Sequence, residues 1–368
     1  MSELTLKIGG YNFNKFNKFA LGLTYNSVAS VFSFDGFFDI NNPDHKRLFK
    51  PLTYPACQVL FDGKVILTGT ILSNAFAIAG ESSLTGIAGY SKPGILEDCE
   101  IPLDTYPLQS DNMNLKEITE KLIAPFGLKL IIDSEIADEV NTLYPDGSIE
   151  GGETLLSGDE ETVMPQQNAK ENEKIKEYIC NIAKQRHIIV THNSLGDLVF
   201  TRLATNKKSI ATFTENKPTN KISLSVNGQE LHSKITLQGQ AQLETDVPTE
   251  ETVDNLLIIT YRPTVKQQSS GNNNNISLTA KMARGAELRA IQLTIETNEW
   301  YWFDGKRNHM ILPNQIIDVV SPSNYLAKKS SWFVESVDLT GDETKSTAVI
   351  KCVLPEVYTG EEPKYIFS

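Results

Sequence analysis

Cysteine is scarce in this chain, and its four copies, Cys57, Cys99, Cys180 and Cys352, form no C-x-x-C pair. That spacing excludes a zinc ribbon and a disulfide scaffold, and it predicts free, mostly buried thiols in a reducing compartment. Long apolar runs are missing as well. The first residues, MSELTLKIGG, lack a basic segment followed by an apolar one, and no run approaches the ~18 apolar residues of a membrane span. The expectation is a soluble chain made in a cytoplasm. Basic residues are in deficit: 34 Lys and Arg face 46 Asp and Glu, a net charge of −12. A protein that grips nucleic-acid phosphates needs the opposite balance.

Much of the acidity is local, because residues 134–169 hold nine acidic side chains and no Lys or Arg. Rich in Gly, Ser, Pro and Gln and poor in aromatics, the stretch reads as a long surface loop or a disordered insertion. Its PDGSIEGGE matches a calcium loop only loosely, since D-x-[DN]-x-[DN]-G is absent.

Catalytic constellations are equally thin. In IAKQRHIIVTHNSLGDLVFTR (182–202), His187 and His192 stand close together, with Asp197 beyond them and Arg186 and Arg202 at the ends. Two histidines are too few for zinc, and Ser194 lacks the G-x-S-x-G elbow that would present a nucleophile. Apolar Ile175, Tyr178, Ile179 and Ile182 recur at helical spacing and predict a helix over about 171–185. Strands at Ile188–Thr191 and Leu198–Thr201 follow, around a turn containing Gly196. The histidines are then structural residues at the bends. Glu97 and Asp98 are the neatest acidic pair for a cell-wall hydrolase, but neighbours on a short helix diverge, whereas that chemistry needs two carboxylates at a fixed separation.

The first hundred residues alternate in the manner of strands, broken by turns such as FDGK at 61–64. LKEITEKLIAPFG (115–127) switches to helical period and ends at Pro125 and Gly127, and LKLIID (128–133) reads as a strand. Strand-like KISLSVNG (221–228) and SKITLQGQ (233–240) come next, then polar 241–254, NLLIITYRPTVKQ and the low-complexity QQSSGNNNN (267–275). SLTAKMARGAELRA (277–290) is helical, with Gly285 as a blemish and Lys281, Arg284 and Arg289 as a solvated basic face. Strands return to the end. VLFDGKVILTGTILSNAFAIAGESSLTGIAG and VVSPSNYLAKKSSWFVESVDLTGDETKSTAVIKC share one order of strands and turns, which suggests two related β-barrels flanking an α/β insertion.

The succession FGLKLIID, IAKQRHIIVTHNSLGDLVFTR, HSKITLQGQ, ITYRPTV, a basic helix, LPNQIIDVVSP and SWFVESVDL…TAVIKCVLPEVY resembles the baseplate hub proteins of Mu-like contractile-tailed phages. That family is related to the hub half of type VI secretion spikes, and the resemblance covers about residues 1–358. The chain departs from the family's pattern in its longer acidic insertion and in KRNHMILPNQ, which replaces the family's Gly-aromatic approach to PNQ.

The resemblance implies an α+β, mainly β chain with the phage tail hub fold: two similar tube-type β-barrels and an α/β insertion domain. Residues 1–98 would form the first barrel, completed by 219–243, and 99–205 the insertion with its acidic loop. Connecting strands and a helix would occupy 206–290, and the second barrel 291–360. It also implies a structural, non-enzymatic homotrimer, a pseudo-sixfold ring between the hexameric tail tube and a separate central spike protein. Such a ring contacts other baseplate proteins, needs no cofactor, and lets DNA pass without specific binding or membrane insertion. Its place is the virion tail baseplate, assembled in the bacterial host cytoplasm. The alternatives are a hub of a phage-derived or type VI-like injection device, a tail-associated hydrolase, or a glycan-binding tail protein.

One run is singled out for contact. Trp300, Tyr301, Trp302 and Phe303 are four successive aromatics, and strand alternation points them to both sides. They are either a core strand covered on both faces or an anchor at a subunit interface.

Overall fold

A computed structural model describes residues 4–368 apart from 38, 40, 80–81, 104–112, 142–168, 204–206, 218, 240–248, 269–275, 299, 304, 307 and 343. The first barrel holds β1 (Leu4–Ile8), β2 (Tyr11–Phe13), β3 (Lys18–Thr24), β4 (Val31–Phe37), α1 (Pro43–Leu48), β5 (Ala56–Phe61), β6 (Lys64–Ala79) and β7 (Ser82–Ser91). Leu4, Leu6, Ile8, Leu21, Leu23, Phe32, Phe34, Cys57, Val59 and Phe61 point inward at every second position and are buried. Asp62 and Gly63 close the β5–β6 hairpin with positive φ at both (45° and 76°), as a two-residue turn between right-twisted strands requires. The strands run antiparallel in the order β3-β4-β7-β6-β5-β1-β2. The long strand β6 serves two neighbours. Its first half pairs with β5 and its second with β7, and the register shifts at Leu72.

The insertion holds α2 (Ile95–Asp98), α3 (Leu115–Ile123), β8 (Leu130–Ile132), α4 (Ala137–Val140), α5 (Ile175–Lys184), β9 (Ile189–His192) and β10 (Leu198–Thr201). The start of α3 is a capping box: Asn114 Oδ1 accepts from Glu117 N at 2.9 Å, and the Glu117 carboxylate accepts from Asn114 N at 3.0 Å. Leu115, Ile118 and Leu122 on α3 share one core with Ile175, Tyr178 and Ile182 on α5 and with Leu198 and Phe200. The first residues of the acidic stretch are ordered rather than loop. Residues 134–140 turn into α4 because Ile136 and Val140 bury there, while 142–168 lie outside the described residues.

Next come β11 (Ser209–Thr214), β12 (Asn220–Val226), β13 (Lys234–Gln238), β14 (Glu250–Asp254), β15 (Pro263–Gln267) and α6 (Ile276–Glu287). The segment 219–243, expected to complete the first barrel, pairs elsewhere. β12 aligns along its whole length with a strand at 291–297, and β13 is the centre of a separate sheet, β14-β13-β15, packed on α6 through Ile235, Leu237, Val253 and Ala280. Polar 250–254 is therefore a strand.

The basic face expected on α6 is also corrected. Lys281 is exposed, but Arg284 is buried and donates to the carbonyls of Asp254 (2.8 Å) and Gly360 (3.1 Å). A guanidinium buried in this way satisfies backbone acceptors that water cannot reach. Gly285 is a close-packing site, since a Cβ there would lie 2.5 Å from the Glu356 carbonyl oxygen. Gly285→Ala should therefore destabilise the chain by about 1–3 kcal/mol despite better helix propensity, read as a lower urea midpoint at unchanged slope. A neutral or stabilising result would place α6 further from the C-terminal helix.

The second barrel is β16 (Ile291–Thr297), β17 (Tyr301–Phe303), β18 (Asn308–Met310), β19 (Ile316–Ser321), β20 (Leu326–Asp342), β21 (Ser346–Val353) and α7 (Glu356–Thr359). Its order, β12-β16-β21-β20-β19-β11, repeats the first barrel's β3-β4-β7-β6-β5-β1, with β11 parallel to β19 where β1 is antiparallel to β5. The long strand again serves two partners, and its register shifts at Glu335 as that of β6 does at Leu72. Beyond that shift β20 also pairs with β3, so both barrels lie in one 13-stranded sheet over one continuous apolar core.

Candidate interaction surfaces

The histidine hairpin is a fastener between insertion and first barrel. Asn193 Oδ1 accepts from Leu195 N (2.9 Å) and Asp197 N (3.0 Å), and Asn193 Nδ2 donates to Asp197 Oδ2 (2.9 Å). These bonds form the turn from its own side chains. Gly196 sits at φ +84°, where a side chain would be strained. His192 Nε2 lies 2.8 Å from Ser30 Oγ and its Nδ1 3.1 Å from the Asn193 carbonyl, and burial lowers its pKa, so the ring is neutral at pH 7. Thr68 Oγ1 donates to the Ser194 carbonyl at 2.8 Å. His187, at φ +54°, contacts Thr279 Oγ1 of α6 at 3.3 Å. The two rings therefore face different parts of the chain.

Glu97 and Asp98 are engaged separately. Lys176 pairs with Glu97, and the Tyr90 hydroxyl donates to Asp98 Oδ2 at 2.8 Å. Among the described residues no three His, Cys, Asp or Glu side chains converge as a metal site would need. Burial pushes the Cys57 thiol up to about 12 and that of Cys180 up to about 11, so neither is a nucleophile at neutral pH.

The aromatic tetrad is divided, and the expectation of cover on both faces fails. Trp300 is buried, 4.9 Å from the Phe61 ring, and its Nε1 donates to Ser346 Oγ at 2.8 Å. Trp302 stacks on His309 at 4.8 Å across the β17–β18 hairpin. Tyr301 and Phe303 point the other way and are 41% and 64% exposed. Alternation holds, but β17–β18 is a two-stranded sheet by itself, and its outer side leaves Tyr301 partly and Phe303 largely open.

A larger surface escaped the sequence reading. Opposite the core, eight consecutive strands from β12 to β6 present Lys221, Ser223 and Ser225; Gln292, Thr294 and Glu296; Thr347, Val349 and Lys351; Asp338, Thr340 and Asp342; then Ala20, Gly22, Val31, Ser33, Asp35, Gly86, Ala88, Ser73 and Ala75. Small side chains leave a shallow hollow of about 450 Å³ between Lys18, Asp35 and Asp342. Charges on this face oppose one another across strands, three lysines against four carboxylates: Lys221 pairs with Glu296 at 2.8 Å and Lys351 with Asp338 at 3.0 Å, while Lys18 stands opposite Asp35 and Asp342. Most of the chain's negative excess lies elsewhere. One signal in the sequence points to this face: KFALGLT (18–24) and KISLSVN (221–227) have the same pattern of Lys, apolar core positions and small outward residues.

This surface, which mixes polar with small apolar side chains, runs along one side of a twin-barrel chain. Over 92% of its length and 84% of the other's, the chain is 22% identical to baseplate hub protein gp44 of Escherichia phage Mu. It is a homologue of the Mu baseplate hub protein. Solved structures share the hub homologue's fold. The 43 kDa tail protein of prophage MuSo2 from Shewanella oneidensis superposes with a TM-score of 0.73 (18% identity, 97% of this chain and 99% of that one). A tail protein from Neisseria meningitidis gives 0.72 (15% identity, 98% of each). An E. coli component of the type VI secretion system, described as structurally similar to the T4 tail proteins gp27 and gp5, gives 0.53 (9% identity, 98% of this chain and 80% of that one). No protein-family model matches the chain. The homologues are structural tail and hub proteins.

Proposed function

We propose that this chain is the structural baseplate hub of a contractile phage tail, three copies of which form a ring with six similar barrels. The observation that carries the reading is the repeated strand order of the two barrels, joined in one sheet. Two equivalent barrels per chain, taken three times, offer six near-equivalent surfaces to a hexameric tail tube, while the ring keeps the threefold symmetry of a central spike. The outward face of these eight strands is the lining of the channel in this reading. With small side chains and its lysines opposed by carboxylates, it offers phosphates no cationic grip, so DNA passes without being held. Tyr301 and Phe303 are contact residues for a neighbouring baseplate protein, as exposed aromatics on a rigid hairpin suit.

The site is the virion tail baseplate after assembly in the host cytoplasm, and the role is non-enzymatic. The type VI likeness supports a second reading, the hub of a phage-derived injection device, which differs in the parent particle and not in the mechanism. The test is to mix the purified chain with the tube and spike proteins of its own particle and image the product. The expected result is a ring capping one end of the tube with the spike on its far side; tubes and spikes that stay separate in its presence would contradict the role.

A further inference from the structure

We propose that Asn227–Gly228 is a site of spontaneous covalent modification, where the asparagine loses its side-chain nitrogen as ammonia and becomes a mixture of isoaspartate and aspartate. The only co-reactant is water. Every other asparagine in the chain is followed by a residue whose side chain, or proline ring, obstructs the reaction; this one alone precedes glycine. The chemistry does not depend on the hub reading. In that reading, however, the chain is not replaced once a particle is built, so a slow change at one position accumulates.

The reaction begins at the backbone. Gly228 N gives its proton to hydroxide and attacks the Asn227 side-chain carbon Cγ; the Cγ–Nδ2 bond then breaks, and Nδ2 takes a proton from water and leaves as ammonia. A five-membered cyclic imide remains. Water adds to one of its two carbonyl carbons: cleavage of the bond from Cγ to Gly228 N gives aspartate, and cleavage of the original peptide bond gives isoaspartate, with the chain now running through Cγ. One water is consumed and one ammonia released, with nothing oxidised or reduced.

The fold favours these steps at this place. Asn227 and Gly228 are exposed just past the end of β12, within reach of hydroxide and water. Gly228 N donates to no acceptor among the described residues, and a Cβ built on Gly228 would meet nothing within 4 Å. Gln229 N donates to Asn227 Oδ1 at 3.2 Å, the oxygen on which negative charge develops during the attack, and a backbone donor aimed there stabilises it. Two contacts set the pace. Asn227 Nδ2 donates to Glu230 Oε1 at 2.7 Å, and the Asn227 carbonyl accepts from Glu230 N at 3.2 Å; with ψ at 90°, the ring closes only after a rotation that breaks this short turn. Asn193 makes the contrast. Its carboxamide is tied to Leu195 N, Asp197 N and Asp197 Oδ2 inside the hairpin, and serine follows it. At position 227 the product sets a new carboxylate against Glu230 where an amide donor had been.

The test is to hold the folded full-length chain in warm, mildly alkaline buffer, digest samples over time at mildly acidic pH, and weigh the peptides by mass spectrometry. The peptide containing Asn227 should gain the mass of an NH2-to-OH exchange ahead of every other asparagine peptide, split into two products, and do so at a rate proportional to hydroxide. In water enriched in heavy oxygen, both products should carry the label. Gly228→Ala, whose methyl group meets open space, should fold as before and slow the reaction manyfold. An Asn227 peptide that keeps its mass in the folded chain but gains it in urea would overturn the proposal, because the fold would then protect the site. So would an earlier reaction at another asparagine, or an unchanged rate in Gly228→Ala.

Discussion

Trp332→Ala should destabilise the chain by about 3–5 kcal/mol, the cost of emptying a large fully buried aromatic site. Trp332 is 0% exposed at the middle of β20, where the strand leaves β19 and turns to β21, and its Nε1 donates to Ser330 Oγ at 2.9 Å. The substitution removes the ring's packing and leaves that hydroxyl one partner short. A shift of the urea midpoint at unchanged slope checks it. Because both barrels share one core, the loss should appear as a single cooperative transition. A cost below about 1 kcal/mol, well under the usual range for emptying such a site, would mean the strand repacks freely.

The second large effect falls on Glu335, the bulge residue of β20. Its carboxylate is paired by Arg289 and accepts from the Tyr358 hydroxyl at 2.5 Å, the Arg289 guanidinium lies 4.9 Å from the Tyr358 ring centre, and the Glu335 carbonyl accepts from Tyr25 N at 2.9 Å. Tyr25, Phe333 and Tyr358 pack edge to face around the cluster at 5.0–5.3 Å. Glu335→Ala strands a half-buried guanidinium and a buried phenol, and about 2–3 kcal/mol should be lost. Glu335→Gln keeps an acceptor and should lose about 1 kcal/mol, the size of one net hydrogen bond. In a double-mutant cycle, Arg289→Met should relieve much of the loss in the Glu335→Ala background. Additive losses would show that the pair acts independently.

The two sites differ in how legible they were. Strand alternation marked the inward positions of β1, β3, β4 and β5 without help, because one face of each is buried and the other is not. The Asp62-Gly63 turn, the α3 face and the Asn193 hairpin were readable for the same reason: their determinants lie within a few residues of each other. What depended on distant partners was misread. Arg284 looked solvated because its acceptors, the carbonyls of Asp254 and Gly360, are remote in sequence. The stretch 219–243 was given to the first barrel, whereas β12 joins the second and β13 a separate sheet, since alternation fixes which side a strand buries but not its neighbour.

The tetrad at 300–303 failed differently. Its alternation was right, but nothing in the sequence shows that the outer side of a two-residue repeat is left open. For the outward face of the shared sheet, the decisive residues are small and individually uninformative. Ala20, Gly22, Ser33 and Ala88 acquire meaning as a surface only when strands from both ends of the chain lie side by side.

Shape and number are the core of the account: two like barrels per chain, three chains per ring. Light scattering of the purified protein across a concentration range tests it most directly. A species of three times 40.9 kDa should gain population as concentration rises. A closed dimer, or a monomer that persists at the highest concentration with spike protein added, would contradict it.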